Sequence, residues 1–137
     1  HCLIVEYERK EQVRVMYENE RFLVVAPYAS RTAFEMRIYP KYHSAHFEMI
    51  TDSARLLLAN ALRVVLARLA LGLHNPDFNF FFHTAPTGDS HQFDHYHWHL
   101  EIVPKTAIWA GFEIGTGIEI ATIAPETAAK FLRKVKL

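Results

Sequence analysis

Histidines 95, 97 and 99 stand at every second position of DHYHWHLEIVPK, residues 94–105, with Tyr96, Trp98 and Leu100 between them. Imidazole moves protons near neutral pH, attacks phosphorus through its neutral nitrogen and binds metals. Three such groups in register therefore admit a phosphoryl nucleophile, a metal centre or a packed core. On a strand, side chains i and i+2 share a face with Cα atoms roughly 6.5–7 Å apart, so His95, His97 and His99 are expected on one face and Tyr96, Trp98 and Leu100 on the other. His83, closing FNFFFH (78–83), and His91, in the polar loop APTGDSHQFD (85–94), add two further rings. Clustered imidazoles without carboxylate partners would repel one another once protonated, and the pattern points to a functional site rather than a row of solvated side chains. Neutral imidazoles in such a group suit zinc or iron and leave room for a carboxylate or water.

The elements that must carry these rings follow from the hydrophobic pattern. VRVMY (13–17) and RFLVVAPY (21–28) read as a hairpin across Glu18, Asn19 and Glu20. FEMRIYPK (34–41) alternates Phe34, Met36 and Ile38 with Glu35, Arg37 and Tyr39, as a half-buried strand does. FNFFFH is a further strand, and HYHWHLEIVP (95–104) is another that ends at Pro104. Leu58, Leu62, Val65, Leu66 and Leu69 recur at helical spacing and predict one long helix over 53–71, capped by Asp52 and stopped at Gly72. AIWAGFEI and GIEIA, within 107–121, read as a last strand region interrupted by Gly111, Gly115 and Gly117. Pro125 opens a short C-terminal helix with Ala128, Phe131, Leu132 and Val135 inward and Lys130, Arg133, Lys134 and Lys136 near its negative end. The expected architecture is α+β: an antiparallel sheet with one long helix packed on it and a short C-terminal helix, in a single domain over 1–137.

Composition narrows the function classes. Lys and Arg number 15 and Asp and Glu 15, a formal net charge of zero that provides no basic field for capturing nucleic acid. Cys2 is the only cysteine, which excludes an internal disulfide and makes the cytoplasm the expected location. LLLANALRVVLARLALGL (56–73) is interrupted by Asn60, Arg63 and Arg68 and reads as a core helix rather than a membrane span. The first residue is His1 rather than Met, and the chain is expected to be a piece of a longer one.

H-x-H-x-H with apolar spacers resembles the signature of the histidine-triad superfamily. PKYHSAHFEMITDSA (40–54) is similar to that superfamily's PK-x-H strand end leading into the long helix. HTAP (83–86) followed by H-x-H is similar to the C-terminal half of galactose-1-phosphate uridylyltransferases, and AGFEIGTGI (110–118) resembles the region after that family's second motif. In that family the N-terminal half carries the nucleophilic histidine in an H-P-H-P-H-G-Q context. Here the third histidine is followed by Leu100-Glu101 and the spacers are not prolines, so the chain resembles the other half.

The resemblance implies a nucleotidyltransferase half that supplies a metal site and hexose contacts to a catalytic N-terminal half, the substrates being a nucleotide-sugar and a hexose 1-phosphate. It implies zinc or iron held by His83, His97 and His99, with a fourth, carboxylate ligand from the N-terminal half. It also implies a second site at Cys2, His43 and His95, by similarity to the superfamily's structural zinc, with Val5 standing where a second cysteine would be. Phe112 and Glu113 match hexose-contacting positions, whereas Ala107 stands where the family has a lysine. The isolated chain is then expected to be inactive and to form a homodimer. Two alternatives remain open: a stand-alone histidine-triad hydrolase or transferase with His97 as nucleophile, and a non-catalytic, metal-stabilised pairing domain.

Overall fold

The computed structural model describes residues 1–87 and 91–137; residues 88–90, within the expected polar loop, and the side chain of His91 lie outside the described set. Helix α1 (Cys2–Glu11) precedes strands β1 (Val15–Glu18), β2 (Phe22–Val25) and β3 (Met36–Pro40). The long helix α2 (Asp52–Gly72) leads to β4 (Phe78–His83) and β5 (His99–Pro104), and the chain ends with α3 (Gly111–Thr116) and α4 (Pro125–Lys134). The five strands form one sheet in the order β1-β2-β3-β5-β4, with every neighbour antiparallel. This is the expected α+β sheet with its long helix.

Alternation along the strands divides the sheet into two faces. Phe22, Val24, Met36, Ile38, Trp98, Leu100 and Ile102 pack against Ala54, Leu58, Ala61, Val65 and Leu69 of α2 and Ala129 and Leu132 of α4. The opposite face is covered over β1 and β2 by α1, whose Val5 joins Val15, Leu23, Val25 and Tyr39 in a second apolar cluster. Over β3, β5 and β4 the register Arg37↔Glu101 and Phe81↔Glu101, with His83↔His99, leaves this face charged and imidazole-rich. The candidate site lies there.

Several local expectations are corrected. Residues 2–11, for which the hydrophobic pattern predicts no element, form α1, docked through Val5 and Glu8. The N-cap of α2 is Thr51, whose hydroxyl accepts from the Ala54 N–H at 3.3 Å, and Asp52 is instead the first helical residue. Gly72 does not cap α2 but lets α4 approach it, since a Cβ there would meet Val135 Cγ2 at 2.9 Å. Residues 107–121 form no strand, because β4 already occupies the free side of β5; Gly111–Thr116 turn into α3, which Gly117 ends at φ 70°. β5 starts only at His99. Pairing with β3 runs no further than Ile38↔Leu100, and the Trp98 N–H is drawn off to the Ser44 carbonyl at 3.0 Å.

Candidate functional site

His83 ends β4, His99 begins β5, and the antiparallel register sets them side by side. Their rings stack with centroids 4.7 Å apart and planes 20° from parallel. Two residues further along the same face of β5, Glu101 places its carboxylate 3.5 Å from His83 Nε2 and 3.7 Å from His99 Nε2. The Nδ1–H of His99 donates to the His97 carbonyl at 3.2 Å, which leaves the Nε2 lone pair free. Burial drives the His99 imidazole from an ordinary 6.5 down to about 4; the bond to the His97 carbonyl opposes the shift and neighbouring His83 adds to it. His83 Nε2 is buried with no hydrogen-bond partner.

These three residues place one donor atom each within 4.8 Å of the others, a two-imidazole, one-carboxylate set. Glu101 is not free, however. Arg31 Nη2 lies 2.8 Å and Arg37 Nε 2.9 Å from its oxygens, and fully buried Glu35 binds Arg37 Nη2 at 3.1 Å. A cation would therefore draw more on the two imidazoles than on this already neutralised carboxylate.

The second donor group is built by three elements. Cys2 opens α1, His43 follows β3, and His97 precedes β5. Cys2 Sγ lies 3.2 Å from His43 Nδ1 and 3.3 Å from His97 Nδ1. Each ring donates its other N–H to a backbone carbonyl, His43 Nε2 to Asp94 at 2.6 Å and His97 Nε2 to Pro40 at 2.9 Å. Those acceptors fix the tautomer, so both Nδ1 lone pairs converge on sulfur. Burial lowers the His97 pKa, the Pro40 carbonyl opposing it and His43 adding to it.

The structure thus brings His83 and His99 together but sends His97 to Cys2 and His43. The expected trio is split because only His99 belongs to the strand, while His97 lies ahead of it and bonds the Pro40 carbonyl. His95 is exposed and joins neither group. His97 has its Nε2 on the Pro40 carbonyl and its Nδ1 facing the Cys2 sulfur. Glu113 and Trp109 line a cavity of about 490 Å³ together with Lys105, Glu119 and Asn79, whereas Phe112 is not among its lining residues. The carboxylate of Glu113 also accepts from the Ala110 N–H at 3.2 Å. The residues missed were Glu101, Arg31 and Arg37; the spacing of Glu101, two after His99 on one strand face, was the available signal.

Residues 1–111 match the family described as "Scavenger mRNA decapping enzyme C-term binding". The chain is 39% identical over 131 residues to ADP-glucose phosphorylase of Arabidopsis thaliana, covering 95% of this chain and 37% of that protein. It is 31% identical over 144 residues to galactose-1-phosphate uridylyltransferase of Thermotoga maritima, covering 99% of this chain and 44% of that one. The crystal structure of the Arabidopsis thaliana ADP-glucose phosphorylase with bound ADP-glucose superposes with TM-score 0.86 at 38% identity, over 99% of this chain and 44% of its own. A zinc-bound histidine-triad protein from Mycobacterium smegmatis, TM-score 0.64 at 19% identity over 96% of this chain and 88% of its own, shares the fold. The chain spans about two fifths of the length of the curated relatives it matches.

Proposed function

The chain belongs to the scavenger mRNA decapping enzyme C-terminal binding family, and from that premise we propose that it is the supporting, C-terminal half of a nucleotidyltransferase that moves a nucleotidyl group between a nucleotide-sugar and a hexose 1-phosphate. Its relatives include a galactose-1-phosphate uridylyltransferase and an ADP-glucose phosphorylase, which supports a uridine- or adenosine-based nucleotide. The observation that carries the reading is the fate of the histidine array: its rings are divided between two donor groups, and His97, the nucleophile of the alternative reading, is turned to Cys2 and the Pro40 carbonyl. A half built this way supports a site whose nucleophile comes from elsewhere in the protein.

His83 and His99 fit a zinc or iron ion, because one offers an orphaned buried nitrogen and the other a lone pair kept unprotonated by burial. A divalent cation held there would cross-link β4 to β5 and draw in a further carboxylate. Arg31 and Arg37 orient Glu101 beside it, and at the other end of β5 the cavity lined by Trp109 and Glu113 offers hydroxyl acceptors next to an aromatic face, a lining suited to a sugar. The N-terminal half of the same enzyme and a second copy are the proposed partners.

The test is transfer of the nucleotidyl group from UDP-glucose or ADP-glucose, assayed on the isolated chain and on the chain joined to its N-terminal half. The expected outcome is no turnover by the isolated chain and restored turnover by the joined protein. Robust turnover by the isolated chain, lost in His97→Ala, would overturn the reading in favour of a stand-alone hydrolase or transferase.

A further inference from the structure

Buried polar groups in folded proteins are paired almost without exception, so an unpaired one asks for a partner. Two of the buried side-chain atoms without a hydrogen bond, Arg37 Nε and His83 Nε2, flank the Glu101 carboxylate. Arg37 Nε lies only 2.9 Å from Glu101 Oε1, so direction rather than distance denies it the bond. The planar carboxylate, fixed on β5, gives its aligned bond to Arg31 Nη2 at 2.8 Å. The His99 Nε2 lone pair, 3.7 Å away, is not served either, because an ionised carboxylate has no proton to donate.

The arginines that meet at Glu101 are held by a second carboxylate. Fully buried Glu35 binds Arg37 Nη2 at 3.1 Å and accepts the Arg31 backbone N–H at 2.6 Å. Paired guanidiniums braced in this way are donors that receive phosphate as readily as carboxylate. The floor is closed, since Glu101 and His99 are both buried. The rim is open, with the Arg31 and His83 side chains 54% and 39% exposed. A hydrogen phosphate brings tetrahedrally disposed oxygens to both guanidiniums and a hydroxyl that donates to an imidazole lone pair, which Glu101 does not do.

We propose that Glu101 is the built-in occupant of an anion site whose donors suit a phosphate group, and that its side chain is the specificity determinant that keeps phosphate-bearing ligands off the His83 and His99 imidazoles. Without its carboxylate, Arg31 and Arg37 have only Glu35 opposite them, and the excess positive charge draws an anion in past the exposed rim. The transfer reading does not depend on this, since turnover tests that reading separately.

Calorimetric titration with inorganic phosphate tests the assignment, with chelator present so that a bound cation does not itself recruit the anion. The expected result is no saturable binding by the wild-type protein, binding by Glu101→Ala about tenfold or more above the wild-type limit, and loss of that gain in Arg31→Ala/Glu101→Ala. A folded Glu101→Ala that ignores phosphate, or takes acetate and not phosphate, overturns the proposal, as does wild-type binding equal to the variant's. If Glu101→Ala does not fold unaided, recovery of native circular dichroism in phosphate but not in chloride of equal ionic strength supports the site. Failure to recover overturns it, and so does recovery shared by the double variant, which is salting-out alone.

Discussion

Because burial holds the His99 imidazole near pH 4 rather than 6.5, the unfolded chain binds more protons than the folded one between those values, and stability must fall as pH drops through that window. The contribution is fully present above pH 6.5 and is lost progressively on acidification toward 4. Its ceiling, from about 1.4 kcal/mol for each unit of displacement, is about 3 kcal/mol. Urea denaturation of the metal-free protein should therefore show stability declining between pH 6.5 and 4, with the slope flattened in His99→Gln, whose side chain does not titrate. Parallel slopes for the two proteins would show that other groups dominate acid unfolding. The same ring illustrates how one position serves two ends: the His97 carbonyl that fixes its tautomer belongs to the residue that completes the neighbouring group.

Helix α2 sets the geometry of the site from the far side of the sheet, since its Ala54, Leu58, Ala61, Val65 and Leu69 support the strand residues that alternate with the histidines. Its start is marked by Thr51, whose hydroxyl is the acceptor for the otherwise unpaired Ala54 N–H. Thr51→Ala should cost about 1 kcal/mol, measured by thermal or urea unfolding, and leave the secondary-structure content unchanged. A loss indistinguishable from zero would mean that water or Ser53, 3.2 Å from the Thr51 hydroxyl, replaces the cap. Helix α1 works differently. Arg14 at the start of the following segment binds Glu8 at 2.6 Å and Glu126 at 2.9 Å, so the helix that delivers Cys2 is tied to both the sheet and α4.

At the scale of the molecule, β4 is an edge strand with Phe80 half exposed and Phe78, Phe81 and Phe82 partly so. Ile108, Trp109, Phe112 and Ile114 are exposed as well. A six-residue edge carrying four phenylalanines and an unpaired backbone row invites another chain, and apolar patches of more than a few hundred Å² are uncommon on monomers. The isolated chain should therefore self-associate at micromolar concentration in sedimentation experiments, and Phe80→Lys should shift it toward monomer. The joined N-terminal half should suppress self-association by occupying the same edge. A clean wild-type monomer would show that the edge needs no partner.

Much of this was legible in the sequence because side-chain alternation and helical spacing are local. Met36 with Ile38, and Leu100 with Ile102, announced their strands, and Leu58 to Leu69 announced the long helix. The motif likeness to the histidine-triad superfamily also came from contiguous residues, and the fold and relatives agree with it. Other features depended on distant chain. Helix α1 was missed because Leu3, Ile4 and Tyr7 face solvent while Val5 and Glu8 are buried, a pattern that becomes meaningful only once β1 and β2 provide a surface. GIEIA alternates like a strand but finds no free neighbour, since β4 takes the side of β5 that it would need. The sequence by itself determined the five strands, the long helix and the C-terminal helix, and the presence of donor imidazoles, all properties of residues within a few positions of each other. Only the tertiary structure decided which imidazole serves which group, because pairing of β5 with β3 stops at Leu100 and leaves His97 to bond Pro40 and meet Cys2, a consequence of register between segments far apart in the chain.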